Sequence, residues 1–212
     1  MIYSIFNKGV VGMRDKHIHT NFCPHGTSDT LEQYVEQAIK LNYEEISFTE
    51  HAPLPVNFHD PTPHQDSAMK WEDLSLYVEE INRLKKRFHG KLIINCGLEV
   101  DFIEGFESET KFFLEDYGSL LDDSILSVHF LRKDEQYFCI DYSERQFGEI
   151  VKLFGGLNAV YKAYYQTVEK SILADLGKFK PRRIGHITLV EKFKLLYPYN
   201  GELLTYVLPL LN

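Results

Sequence analysis

Cysteine is scarce in this 212-residue chain: there are three, Cys23, Cys96 and Cys139, far apart and odd in number. They form no CxxC pair, and three dispersed thiols cannot build a disulfide framework, which points to a reducing compartment. Also missing is any apolar run approaching the ~20 residues of a membrane-spanning helix, so a membrane is not an expected partner. The N-terminal MIYSIFNKGVVGM holds one lysine, no long apolar core and no convincing cleavage site. It makes a poor signal peptide, and the cytoplasm is the expected location. Positive charge is short as well: 23 Lys and Arg stand against 31 Asp and Glu, a formal net charge of −8. Such a chain gains little from a phosphate backbone, which disfavours nucleic acid as partner. A small anionic substrate remains compatible, because a local cationic site overrides global charge. Internal repeats and low-complexity segments are absent too.

What is present is the composition of a globular enzyme, with enough apolar residues for one large core. Short strands alternate with longer helices. Lys16–Thr20 reads as a strand, followed by a helix from Asp29 with Glu32 as capping-box partner. Leu31, Tyr34, Val35, Ala38 and Ile39 continue that helix at 3.6-residue spacing. Glu45–Thr49 is a second strand. The segment 52–66 carries Pro53, Pro55, Pro61 and Pro63 and must be a loop. A helix over Trp71–Phe88, a strand over Leu92–Cys96, a helix over Ser108–Asp116 and a strand over Ser124–Val128 follow. Helices over 144–154 and 157–176 break at Gly155-Gly156, Arg183–Ile187 is a possible fifth strand, and the apolar remainder reads as helical. Such alternation implies parallel strands with helical crossovers, as an open doubly wound sheet or a barrel.

The ligand pattern chooses between them. His17 and His19 lie two apart on the first strand and point to the same face, a natural metal pincer. An isolated HxH is more often a pair of ordinary histidines. Here, however, His51 follows strand two, Glu99 follows strand three, His129 ends strand four and His186 ends strand five. A parallel barrel gathers its strand ends at one mouth, where active sites sit, so the convergent reading is a metal site on a barrel-like fold. His59, His64 and His89 lie in the proline-rich loop or at a helix end, and the ordinary reading holds for them. Cys23 reads as a buried structural thiol rather than a thiolate ligand. Glu50 and Asp101 flank ligands and either orient them or are simply solvated. In GKFKPRRIGH the lysines read as solvated. Arg182 or Arg183, with a planar fork that matches phosphate oxygens, is expected to contact phosphate.

Taken in order, HxHTxxCxHG, TEHAP, GxEVD, SVHF and PRRxGHI resemble the PHP-family phosphoesterases, most closely their monofunctional histidinol-phosphatase branch, over about residues 15–190. The resemblance implies a distorted (β/α)7 TIM-like barrel and up to three divalent metal ions (Zn, Mn or Fe). His17, His19 and Glu99 would hold one metal. Glu99 would bridge to a second, held with His129 and His186. His25 and His51 would serve a third. The implied reaction is hydrolysis of histidinol phosphate, within histidine biosynthesis, with Glu99, His129, Arg182 and Arg183 as the catalytic set. Clustered cations would activate a water for in-line attack on phosphorus. The family pattern ends in a D-x-H strand, and no DxH follows His186. The expectation is therefore a barrel incomplete at the C-terminus, with two metal sites each short of one ligand and activity impaired. Met13 is the expected natural start, with 1–12 an extension before a domain over 13–212. Competing readings are an amidohydrolase-type enzyme, a metal-binding fragment without turnover, and a polymerase-associated domain of the same family.

Overall fold

A computed structural model describes residues 12–210; the expected extension lies almost wholly outside these described residues. The elements in chain order are β1 (Met13–Ile18), α1 (Leu31–Lys40), β2 (Tyr43–His51), α2 (Leu74–Arg87), β3 (Ile93–Asp101), α3 (Glu107–Tyr117), β4 (Asp123–Ser127), β5 (Phe130–Lys133), β6 (Gln136–Cys139), α4 (Glu144–Phe154), α5 (Leu157–Leu173), β7 (Arg183–Ile184) and α6 (Leu204–Leu210). β1, β2, β3, β4 and β7 form one parallel sheet in that spatial order, and β5 pairs with β6 as a separate hairpin.

The sheet is strongly curled. Five strands spaced by ~4.8 Å would put the edges of a flat sheet about 19 Å apart. Instead Arg183 on β7 donates to the Lys16 carbonyl on β1 at 3.0 Å, and the His17 and His186 rings lie 5.7 Å apart. The architecture is thus an α/β half-barrel of the TIM-like kind, the barrel alternative of the two that strand–helix alternation allows.

Period-two alternation divides the strand residues. Ile46, Phe48, Ile94, Cys96, Leu98 and Leu126 are buried in the main core, together with Leu31 and Val35 of α1 and Leu74, Tyr77, Ile81 and Leu84 of α2. Most of the intervening positions are polar, and several of them meet one another. Ser47 donates to Asp123 at 2.8 Å, and Asn95 donates to Glu45 and Ser47 at 2.8 and 3.1 Å. The apolar set holds the helices on the sheet, and the alternate set is free to carry chemistry.

Local differences from the sequence reading have identifiable causes. α1 is capped by Thr30 and Gln33 in a reciprocal box, not by Asp29 and Glu32, because Asp29 instead accepts from Thr27 at 2.8 Å. The first turn over Trp71–Asp73 is a 3-10 helix preceding α2. The β5–β6 hairpin turns at Asp134-Glu135, both with positive φ and neither a glycine, so the usual hairpin signal is missing. The apolar tail is mostly turns, with α6 and a 3-10 turn at Leu189–Glu191 as its regular pieces. The break at Gly155 is a left-handed helix end, φ 89°. All three cysteines are buried and free, and no helix among the described residues is long and apolar enough to cross a membrane.

Candidate metal centre

Glu99, near the C-terminal end of β3, is fully buried and is the hub of the site. Its Oε2 faces Nε2 of His17 at 2.9 Å, His19 at 3.2 Å and His51 at 3.7 Å. Its Oε1 faces Nε2 of His186 at 2.9 Å and His129 at 3.8 Å, and accepts from the Ser127 hydroxyl. The two carboxylate oxygens therefore serve two separate sets of imidazoles. His17 and His19 come from β1 and the segment after it, His51 from β2, His129 follows β4 and His186 follows β7. Parallel strands bring these ends to one mouth.

Carboxylates behind the rings orient them. His19 Nδ1 lies 3.1 Å from Glu50 Oε1, and His129 Nδ1 lies 2.6 Å from Asp101 Oδ1. Glu50 is itself pinned by the Thr20 amide and hydroxyl, both at 2.7 Å. Glu50 and Asp101 are both buried, so the solvated reading of these two is corrected.

The charge state follows from these contacts. Burial works to raise the Glu99 pKa, but hydrogen bonds from His17, His186 and His19 outweigh it and hold Glu99 well below the usual carboxylate range. Burial likewise opposes ionisation of Glu50, yet His19, Cys23 and Thr20 bring it down to about 2. Burial pushes His51 down to about 3, leaving a neutral ring.

Do these residues fit a divalent metal? In the neutral form that binds a metal, with their Nδ1 protons given to Glu50 and Asp101, His19 and His129 turn bare Nε2 lone pairs toward Glu99. Without a metal, burial lowers both rings but the carboxylates outweigh it, carrying His19 up to about 12, so that a proton stands in for the cation. His129 Nε2 also lies 3.2 Å from His186 Nε2. Lone pairs facing lone pairs at such distances repel unless a cation or proton lies among them. The buried Nδ1 atoms of His51 and His186 have no hydrogen-bond partner among the described residues either. His17, His19 and Glu99 form one group with donor atoms mutually within 4.8 Å, and Glu99, His129 and His186 form another. Imidazole and carboxylate are the donors that zinc, manganese and iron accept. The residues fit.

Two further groups meet the same distance: His51, Asp101 and His129, and His19, Cys23 and Glu50. His25 is exposed and lies with its ring 5.0 Å from that of His51, but joins no three-donor group among the described residues. Cys23 is buried, 3.7 Å from His25 Nδ1, and burial pushes its thiol up. His59, His64 and His89 are exposed and join no three-donor group among the described residues.

The arginines are not brought to the mouth. Arg183 is held by Asp123 at 2.7 and 3.0 Å and by the Lys16 carbonyl. Arg182 lines a depression with Asp122, Lys178 and Lys180, beside the N-terminal end of β4. The phosphate contact expected of one of them has no geometric basis here, because the guanidinium that enters the half-barrel ties its two edges together. Sequence reasoning also missed Ser127, although it precedes His129 by two and so shares its face.

A pH effect follows for the metal-free chain. Burial lowers the His129 pKa, but the Asp101 carboxylate outweighs it and carries His129 up to about 10. A folded-state pKa above the unfolded value of ~6.5 contributes stability that is whole below pH 6.5 and lost as pH rises through 10. The melting temperature of chelator-treated protein should fall between pH 7 and 10. Added zinc should remove that dependence, because the metal takes the proton's place; calorimetry with and without EDTA checks both.

The fold and the cluster together define a TIM-like half-barrel with a histidine–carboxylate metal centre. The chain belongs to the PHP domain family, whose model matches residues 15–206. It is 57% identical over 187 residues to histidinol-phosphatase of Bacillus subtilis (strain 168), covering 88% of this chain and 70% of that one. It is 33% identical over 194 residues to the probable histidinol-phosphatase of Deinococcus radiodurans, covering 89% and 65%. The crystal structure of the "putative histidinol phosphatase hisK" from Listeria monocytogenes superposes with a TM-score of 0.83 at 41% identity, over 88% of this chain and 71% of that one. The Lactococcus lactis enzyme, solved with zinc, L-histidinol and phosphate, shares the fold at a TM-score of 0.64 and 24% identity, over 84% of this chain and 59% of that one. The chain thus spans roughly two thirds of the length of these relatives.

Proposed function

We propose that this chain is a metal-dependent phosphomonoester hydrolase that converts histidinol phosphate and water to histidinol and phosphate. The observation that carries this reading is the divided coordination of Glu99, three imidazoles on one oxygen and two on the other, in a chain 57% identical to a histidinol-phosphatase. His17, His19 and Glu99 would hold one metal; Glu99, His129 and His186 would hold a second; His51 and His25 are nearest to a third. Zinc, manganese and iron all suit the donors.

When bound, such metals supply Lewis-acid stabilisation of phosphoryl charge and lower the pKa of a water. The protein's own part is orientation. Glu50 and Asp101 keep protons on the outer nitrogens of His19 and His129, so that the inner nitrogens converge. Thr20 and Ser127 fix the two carboxylates, Glu50 and Glu99. Burial of Glu99 keeps water from competing for its oxygens. Hydrolysis breaks the phosphorus–ester oxygen bond, the water oxygen joins phosphorus, and the alcohol leaves with a proton. No serine or cysteine nucleophile is required.

The zinc- or manganese-loaded chain should release phosphate from histidinol phosphate. EDTA and His17→Ala should each abolish the release. A fully loaded chain that releases none from this ester, yet cleaves others, would remove the substrate assignment. A loaded chain inert toward all phosphoesters would favour the metal-binding fragment.

A further inference from the structure

A cavity of about 230 Å³ opens beside the cluster, lined by His25, His51 and His129 and also by Asp66, Asp141 and Lys192. Its charges do not balance. Lys192 donates to the Asp141 carbonyl at 2.8 Å and to its carboxylate at 3.1 Å, so this pair cancels. Asp101, which also borders the cavity, has its charge matched by His129 through Oδ1, although its buried Oδ2 has no hydrogen-bond partner among the described residues. Asp66 is left over. Its Oδ1 meets the Thr62 hydroxyl at 3.5 Å, and among the described residues no Lys, Arg or His forms an ion pair with it.

Asp66 is also held in place. It sits at the end of the proline-rich loop, a segment without helix or strand, yet that loop is stitched by the buried carboxylate of Asp60. Asp60 accepts from the Thr62 amide and hydroxyl at 2.9 and 2.8 Å and from the Ser67 amide and hydroxyl, both at 3.0 Å. These four bonds bracket Asp66 on both sides. A half-buried carboxylate, fixed at the wall of a cavity and lacking a cation, is built to receive one.

We propose that Asp66 is a specificity-determining residue that pairs with the primary ammonium group of an amino-alcohol substrate, while the phosphate end lies toward the histidine cluster. This rests on the reading of histidinol phosphate as substrate, whose alcohol carries an amine and an imidazole. Tyr142, half-buried, lines the same cavity and offers an aromatic ring to the imidazole.

The test is calorimetric binding to the zinc-loaded chain of two alcohols: histidinol, and 3-(imidazol-4-yl)propan-1-ol, which keeps the ring and hydroxyl but lacks the amine. The native chain should prefer histidinol by about 10-fold or more, the scale of a charged hydrogen bond. Asp66→Asn should erase that preference while leaving affinity for the amine-free alcohol and the melting temperature unchanged. A preference that survives in Asp66→Asn, equal weakening of both alcohols, or no preference in the native chain would each overturn the assignment. The function itself is read separately by phosphate release from histidinol phosphate. Release without amine preference removes only the role of Asp66; Asp66-dependent preference without release removes only the hydrolysis.

Discussion

Glu99→Gln should lower phosphate release by about 10³-fold or more and strip metal from the chain. Removal of one preorganised electrostatic group commonly costs on the order of 10²–10³ in turnover, and Glu99 is more than one contact. Five imidazole nitrogens lie within 3.8 Å of its two oxygens. Glutamine keeps the volume, so the packing of β3 survives, but it loses the charge that draws cations into a buried site. It also replaces one acceptor oxygen with an NH2 that cannot ligate. Elemental analysis beside a phosphate assay reads both consequences. Near-normal turnover at full metal content would show that Glu99 is not the hub.

The largest stability effect is expected two residues earlier. Gly97 lies in the middle of β3, paired with Thr49 of β2 and Asp123 of β4. A Cβ there would sit 2.3 Å from the Asp123 carbonyl oxygen and 3.0 Å from that of Phe48. Both are backbone atoms of neighbouring strands and cannot turn aside as a side chain would. The Gly97 carbonyl also accepts from the buried Tyr77 hydroxyl at 2.9 Å, which fixes it against α2. Gly97→Ala must therefore spread the sheet, at a cost of about 3 kcal/mol. At 2–4 °C per kcal/mol for a chain of this size, the melting temperature should drop by roughly 10 °C. A drop of a degree or less by scanning calorimetry would show that the strands yield freely. Because the strain falls on the strand that carries Glu99, metal affinity should weaken in the same variant.

The legibility of this molecule is uneven in an instructive way. The five parallel strands are legible from the strand–helix alternation, and the candidate site is legible because each strand has a His or Glu at or near its C-terminal end. The helix face Leu74, Val78, Ile81 and Leu84 is buried just as its spacing requires. The β5–β6 hairpin was hidden because Asp134 and Glu135 take positive φ without being glycine. The cap of α1 slipped by one residue because Thr27, Asp29 and Thr30 all offer capping groups, and only their mutual hydrogen bonds decide which is used.

Residue type and spacing by themselves thus determined the α/β class, the divalent-metal chemistry and the candidate residues for it, because alternation along a strand and periodicity along a helix are local properties. Tertiary structure alone decided the remainder. It assigned the imidazoles to opposite oxygens of one buried carboxylate, drew Arg183 across to β1 instead of toward the mouth, and set Asp66 beside the histidines without a cation. Each of those outcomes depends on how tightly the sheet curls, and curl is a sum over all five strands that no single stretch of chain records.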